Sequence, residues 1–520
     1  MFKVTLTGIC AAVILSTGCS ITPEPLTLSD LRTAKTTRLA ALTLDQEPVT
    51  QSISLYEAMA RAIKYNLDFK VEQFEEALRV SELSLSRLEQ LPDLVASAGF
   101  SNRDSYNSSR SASLLDGDGV SELSQTPTTS SKRNVTDTSI RLSWDILDFG
   151  LSYVRAKQSA DQVLIANERK RAVINRVIAN VRTAYWRAVS SERLVNRLRF
   201  FEADITKALD SSERSYQERQ TAPLAALTYQ RELLEIKQQI QSLETEMSIA
   251  KMQLAALMNI DAGTDYTLQL PDRAAIPLEM RLDSEKLIDI ALLDRPELRE
   301  LSYEQRINKK QANIALLEVL PNLSLFGGFS NNSNDFLYNN NWAFWGAQTS
   351  WNIIDAFKYP AKKRQVVVNG EFLDQRALAL TMAVITQVHV SVSQFEFARR
   401  NLDTNRKFTD VNNNILDQII AGHNSKNVSY QTFVRENMNN IVAEAQYDVA
   451  YAEFQNSFAD IYTSIGQPVY GQVDIAEMSV QELADHLGTY WMALNSQLIC
   501  LLYTSPSPRD LSTSRMPSSA

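Results

Sequence analysis

Four segments of the chain alternate apolar and polar residues with a period of two, which is typical of strands with one apolar and one wet face. In IRLSWDIL, Ile140, Leu142 and Trp144 share one face, and Arg141 and Ser143 share the other. The same pattern predicts strands over 93–103, 137–148, 322–331 and 342–353. Each is long enough to cross a membrane when tilted. A hairpin packed on a soluble core would alternate in the same way.

Long segments with helical periodicity follow each pair of predicted strands. They extend from about 150 to 212 and from about 360 to 420, and returning helices reach about 258 and 465. Apolar residues recur every three or four positions, as in a coiled-coil seam: Ile174, Val177, Ile178, Val181, Ala184, Ala188, Val195 and Leu198. About 60 helical residues span roughly 90 Å, far more than a bilayer, so this part must lie in water. A plain soluble coiled coil has the same stripe.

An internal repeat organises the chain. LPDLVASAGFS from Leu91 matches LPNLSLFGGFS from Leu320, and SWDILD from Ser143 matches SWNIID from Ser350. The repeat predicts a mainly α fold with membrane β-strands, built from a duplicated helix-strand-strand-helix-helix unit. The predicted parts are repeat 1 (51–260), a linker (261–283), repeat 2 (284–466) and a C-terminal equatorial segment (467–499).

Four strands cannot close a barrel, and a lipid-exposed sheet edge would leave backbone groups unsatisfied. If the predicted strands lie in a membrane, several chains must share one barrel. Three chains would supply twelve strands. This exceeds the roughly eight strands of a barrel whose interior is filled by its own side chains.

Composition excludes several classes of function. With 52 Lys and Arg against 61 Asp and Glu, the net charge of −9 argues against a nucleic-acid binder. The 15 Gly and 15 Pro are few for 520 residues, which favours long elements. The three His and three Cys form no local metal-ligand pair, and no catalytic constellation is visible. We therefore expect no metal, no cofactor and no enzymatic activity.

Both ends of the chain carry segments that are set apart from the fold. Residues 1–18 have the charge and the short apolar run of a secretory signal. The following LSTGCS resembles a bacterial lipoprotein signal, which makes Cys19 the candidate for acylation, with palmitate as one of the expected acyl groups. Residues 19–50 would then be an acylated N-terminal segment. Ordinary cleavage with a free Cys19 is the alternative. Residues 500–520 read as a non-native tail, or as a natural disordered one.

The chain resembles the outer-membrane efflux protein (TolC-like) family and its lipoprotein branch. The matching residues are ALLDRPELRELSYEQRINKKQANIALLEVLPNLSLFGGFS from Ala291, SWDILDFGLSYVRAKQSA from Ser143, and the repeat. The resemblance implies a homotrimer with a twelve-stranded outer-membrane β-barrel continued by a periplasmic α-helical barrel. It also implies a lipid-anchored location in the outer membrane. A periplasmic adaptor protein and an inner-membrane transporter would be the partners of this passive efflux or export channel. The alternative is a periplasmic coiled-coil scaffold or adaptor lipoprotein without a pore.

The resemblance further implies a gate where the helical hairpin tips converge. The gate candidates are Arg219, Pro223, Asp410, Asp417, Gly422, His423 and Tyr430. Many family members place an Asp soon after the second tip, but this chain has no carboxylate there until Glu436. Asp410 and Asp417, just before the turn, are the candidate substitutes, and solvated aspartates on a helix surface are the alternative. Trp144, Trp345 and Trp351 are candidates for an aromatic girdle, although core packing would use the same residues.

Overall fold

The computed structural model describes residues 24–42, 46–49, 52–112, 114–115, 119–219, 222–261, 263–270, 282–425, 427–471 and 477–502. The predicted signal segment 1–18, the acylation candidate Cys19 and residues 503–520 lie outside this part of the chain.

Ten helices are present in the described residues, and they fall into two matching series. Their bounds are α1 Leu28–Leu42, α2 Leu55–Tyr65, α3 Leu67–Leu88, α4 Ile146–Gln217, α5 Pro223–Leu257, α6 Ser284–Asp294, α7 Pro296–Leu317, α8 Ile353–Asn424, α9 Tyr430–Ser464 and α10 Val480–Leu502. Corresponding helices of the two repeats have equal lengths: 11 residues in α2 and α6, 22 in α3 and α7, 72 in α4 and α8, and 35 in α5 and α9. The structure therefore repeats the duplication seen in the sequence.

Four long strands form one antiparallel sheet: β1 Asp93–Asn102, β2 Asn134–Asp145, β3 Asn322–Asn332 and β4 Asn341–Ser350. Their order in the sheet is the order in the chain, so β1 and β4 are its edges. The central pair β2 and β3 joins the two repeats, with Ile140 opposite Phe329. Two short two-residue ladders lie in the loop between β1 and β2, which is much longer than the loop between β3 and β4.

The predicted seam of α4 packs into the larger of two hydrophobic clusters. Ile174, Val177, Ile178, Val181, Ala184 and Ala188 are all buried there, while the side chains of Val195 and Leu198 lie outside the described residues. The same cluster contains α2, α10 and parts of α8 and α9, and so it joins both repeats. A second cluster of α4, α5 and α9 residues lies nearer the hairpin tips. Most of the apolar burial that stabilises the chain is therefore in the helical part.

Two predicted strands extend too far into the following helices. Residues 146–148 belong to α4 and residue 353 to α8. Asp145 and Asn352 have extended backbone conformations and occupy the N-cap positions, and the Asn352 side chain accepts a hydrogen bond from the amide of Ile354. The alternation continues through Ile146 and Ile353, but side-chain polarity does not report where the backbone changes its hydrogen-bond pattern.

The predicted start of the second long helix at 360 is also wrong. Pro360 lies inside α8, which begins at Ile353. Its ring fixes φ near the helical value, so the helix continues, at the loss of one intrahelical N–H donor. The proline marks an early turn of the helix, not its first residue. Helix α4 likewise begins at Ile146, before the predicted 150.

Candidate functional site

The two faces of the sheet differ in chemistry, and the apolar one is exposed. Leu94 and Phe100 on β1, Leu142 on β2, and Leu323 and Phe329 on β3 are all exposed. Trp345 on β4 is 89% exposed. Soluble proteins rarely present a contiguous apolar surface of this kind without a partner. This face requires contact with lipid or with another protein.

The opposite face is mainly polar, and its side chains bond across the strands. Ser97 and Ser139 are 2.8 Å apart between their hydroxyl oxygens. Closer to the helices, Ser324 donates to the Asp145 carboxylate, and at the loop end Asn332 donates to Asp137. The sheet thus has one face suited to lipid and one suited to water, as the alternation predicts.

Both edges of the sheet carry unpaired backbone groups. Strand β1 pairs only with β2, and β4 pairs only with β3, within the described chain. In water such edges are templates for further pairing, and in lipid they are not tolerated. The sheet is therefore incomplete as a membrane structure in a single chain.

The three tryptophans proposed for a girdle occupy different places. Trp144 lies at the helix end of β2, where it makes an edge contact with Phe149 at a ring-centroid distance of 5.7 Å. Trp351 lies just after β4, and its indole Nε1 donates to the Val319 carbonyl at 2.9 Å. Trp345 lies in the middle of β4, opposite Gly327. Trp144 and Trp351 are at strand ends, where a girdle belongs, whereas Trp345 is placed for the apolar band between the girdles.

The first hairpin tip connects α4 to α5. Arg219 has a φ of 58°, the left-handed conformation that commonly ends a helix. Pro223 is the first residue of α5, a position where its missing N–H costs nothing. The next residue, Leu224, is exposed. The tip therefore presents an apolar side chain to solvent at the start of α5.

The second tip connects α8 to α9 around Gly422. Its carbonyl accepts from the amides of Asn427 and Val428, at 2.9 and 3.2 Å. A Cβ at Gly422 would lie 2.5 Å from a methyl carbon of Val428, so the turn is closed too tightly for a side chain. Ser429 caps α9 by accepting from the amide of Thr432.

Three rings stack beside this second tip. The imidazole of His423 lies 5.0 Å from the ring of Phe433 and nearly parallel to it, and 6.0 Å from the ring of Tyr430. His423 Nδ1 is 3.3 Å from the Val428 carbonyl. Burial raises the pKa of the Tyr430 hydroxyl above its usual value, and the carboxylate of Asp204 adds to that shift. His423 and Tyr430 are thus brought together at the second tip.

Asp410 and Asp417 lie on α8, seven residues apart and therefore on the same helix face. Both are exposed, and among the described residues neither forms an ion pair. Their separation along the helix is about 10 Å. Within the same described residues, no group of three His, Cys, Asp or Glu side chains could hold a metal ion.

The long helices exceed any bilayer. Seventy-two residues in α4 and in α8 correspond to about 108 Å at the usual helical rise. By length and composition alone, α8 contains one stretch apolar enough to cross a membrane, of which 28% is buried. The sheet is at one end of these helices and the tips at the other.

The architecture matches that of solved bacterial outer-membrane channels. The Campylobacter jejuni CmeC outer membrane channel aligns over 91% of this chain and 99% of its own, with a TM-score of 0.63 and 14% sequence identity. The Neisseria gonorrhoeae MtrE outer membrane channel in its open state aligns over 80% of this chain and 89% of its own, with a TM-score of 0.60 and 15% identity. The outer membrane protein VceC of Vibrio cholerae aligns over 79% and 96%, with a TM-score of 0.59 and 9% identity. No protein-family model and no curated protein sequence matches the chain.

These structures share the fold of this chain along almost their whole lengths. The mainly helical fold with a small sheet, expected from the resemblance to the TolC-like family, is confirmed. At identities of 9 to 15%, the likeness is one of fold.

Proposed function

We propose that the chain is the outer-membrane channel subunit of a tripartite efflux or export system, and that it works as a passive homotrimer. The observation that carries the proposal is the exposed apolar face of the four-stranded sheet, set at one end of helices about 108 Å long. A periplasmic scaffold without a pore would have no use for that face. Solved structures with this fold are named outer-membrane channels.

The two free edges of the sheet support closure by copies of the same chain. If β4 of one copy pairs with β1 of the next, every edge is removed, as lipid requires. Two copies of a four-stranded sheet give a barrel of eight strands, whose interior is just filled by side chains. Three copies give twelve and leave space for an aqueous lumen. The polar face of the sheet then lines that lumen, and the apolar face contacts lipid.

Exposed apolar residues on α8 fit the same assembly. Leu378, Met382 and Val390 are exposed in the single chain, although they lie far from the sheet. Contact with a helix of the next copy would bury them. The helices would then form a barrel in the periplasm, continuous with the barrel in the membrane.

The hairpin tips are the proposed gate at the far end of this conduit. The two turns, at Arg219 to Pro223 and around Gly422, would converge in the trimer and close the periplasmic entrance. The resemblance to the TolC-like family implies that a periplasmic adaptor and an inner-membrane transporter contact the tips and separate them. The exposed carboxylates of Asp410 and Asp417 would face the lumen near the gate and favour cations.

Acylation of Cys19 would anchor the chain in the outer membrane. The support is the lipoprotein-like LSTGCS sequence and the Ser20 that follows. Metabolic labelling with a fatty-acid analogue tests it, with Cys19→Ser as the matched control. Label in the wild type and none in the variant is expected, and equal labelling of both would count against the anchor.

Conductance in planar lipid bilayers tests the channel. Protein extracted from membranes with detergent should give discrete current steps of uniform size. A sample of the same protein denatured by heating is the control. Release from membranes without detergent, together with the absence of discrete steps, would refute the channel and favour the scaffold.

A further inference from the structure

An aromatic cluster lies on the mainly polar face of the sheet. Phe326 on β3 and Phe344 on β4 are on this face, together with Arg141 on β2. The register fixes their arrangement: Arg141 is opposite Gly328, and Gly328 is opposite Phe344. The proposed function assigns no role to these three side chains. A role for them in a lumen rests on that function, because a lumen exists only if copies of the sheet close.

Two glycines leave room for the aromatic rings on this face of the sheet. A Cβ at Gly346 would lie 2.7 Å from Cζ of Phe326, and a Cβ at Gly328 would lie 3.0 Å from Cζ of Phe344. Each ring therefore covers the glycine of the neighbouring strand. The ring centroids are 6.4 Å apart with an interplanar angle of 49°. The two rings are therefore neighbours, tilted relative to each other, on the face that the proposed function places toward the lumen.

The guanidinium of Arg141 lies over one of these rings. Its central carbon is 4.3 Å from the centroid of the Phe326 ring, the distance of a cation–π contact. No carboxylate in the described chain forms an ion pair with Arg141. Asp137 and Asp145 are each four residues from Arg141 on the same strand, about 13 Å between Cα atoms. Both are also hydrogen-bonded to other residues.

The remaining acidic neighbour of Arg141 is Asp93, on the strand at its other side. Asp93 belongs to β1, two residues before Val95, which is opposite Arg141. The Arg141 side chain extends toward β3, on the side opposite to β1, because it stacks on Phe326. The two rings are therefore next to a positive charge that forms no ion pair in the described part of the chain.

We propose that Arg141, Phe326 and Phe344 form a subsite on the lumen wall that binds aromatic anions during transport. The ring of such a solute would stack on Phe344, whose face is not covered by the guanidinium, and its carboxylate or sulfonate would pair with Arg141. Three copies would place three subsites at one level of the barrel. The subsite slows passage of this class of solute relative to aliphatic anions and aromatic cations.

Block of the single-channel current measures this binding. The probes are 2-naphthoate, the saturated decalin-2-carboxylate of the same charge and similar size, and 2-naphthylmethylammonium. The wild-type channel should be blocked by 2-naphthoate at a concentration roughly three- to tenfold lower than by the other two, as expected for one aromatic contact and one charge contact. Equal block by the three probes would overturn the subsite.

Variants assign the effect to the named residues. Phe344→Leu keeps an apolar cover over Gly328 but removes the aromatic face, and Arg141→Gln removes the charge. Each should abolish the preference for 2-naphthoate over the other two probes. Phe329→Leu, the same change on the lipid face, should retain the preference. A preference that persists in both lumen variants would also overturn the subsite.

The two proposals fail in different ways. Wild-type protein that forms no channel refutes the proposed function and the subsite with it. Wild-type channels that block without regard to aromaticity refute the subsite alone. The comparison of probes on the wild type decides the matter even if a variant fails to assemble.

Discussion

Asp161 on α4 is the residue whose removal should most weaken the contact between the two repeats. It is 3% exposed and receives charged hydrogen bonds from Arg306 and Lys310, both on α7. Asp161→Ala leaves both cations without their carboxylate. Removing one partner of a buried ion pair costs about 3–5 kcal/mol. Because the Arg306 side chain is 48% exposed and Lys310 also donates to the Lys157 carbonyl, solvent screening lowers our expectation to about 2 kcal/mol.

Thermal unfolding in detergent, followed by circular dichroism, measures this cost. The unfolding entropy of a chain of this length is about 1 kcal/mol per kelvin, so the midpoint should fall by about 2 °C. Glu304→Ala is the matched control, because it breaks an ion pair with Arg376 that joins α7 to α8 and is more exposed. Its midpoint should move by less than about 1 °C. An unchanged midpoint for Asp161→Ala, or an equal loss in both variants, would refute the reasoning.

Three further predictions concern other parts of the chain. Gly466 has a φ of 74°, and a Cβ there would lie 2.7 Å from Cα of Arg295. Gly466→Ala should therefore lower the thermal unfolding midpoint by about 2 °C. The control Gly150→Ala, where no atom lies within 4 Å of the added Cβ, should not lower it. Trp345→Lys on the apolar face should reduce insertion into bilayers, at a cost of about 2–4 kcal/mol. The control Gln348→Lys, on the polar face, should insert as the wild type does. Equal insertion of the two variants would contradict the assignment of the faces. Burial raises the pKa of Asp460 above its usual value, an effect that nearby Arg182 only partly offsets. The wild type should therefore lose stability as pH rises through that pKa, so Asp460→Asn should unfold at a higher temperature at pH 7, with the difference narrowing toward about pH 4.

Much of the fold follows from local patterns in the sequence. The offsets between LPDLVASAGFS and LPNLSLFGGFS, and between SWDILD and SWNIID, correspond to helices of equal length in the two repeats. The alternation in IRLSWDIL identifies both faces of the sheet. The alternation places the strand ends beyond Asp145 and Asn352, because the apolar and polar pattern continues past these N-cap residues into the first turn of each helix.

The aromatic cluster illustrates what alternation alone misses. Phe326 and Phe344 fall on the polar face by register, yet in the sequence they read as interruptions of the pattern. Their partners Gly328 and Gly346 are two residues away along each strand, and only the cross-strand pairing shows that each ring covers the other strand's glycine. The ion pairs of Asp161 with α7 were equally hidden, since they join residues about 145 positions apart.

Cross-linking between edge strands tests the central claim, that three copies of this sheet close into one barrel. In a background without Cys500, single cysteines at Ala96 or Ala98 on β1 are combined with cysteines at Ala343 or Ala347 on β4, and the proteins are oxidised in the membrane. We expect at least one combination to give covalent products of two and three chains and none larger, because a closed ring has no free edge. Absence of any product from all combinations, or a ladder extending beyond three chains, would contradict it.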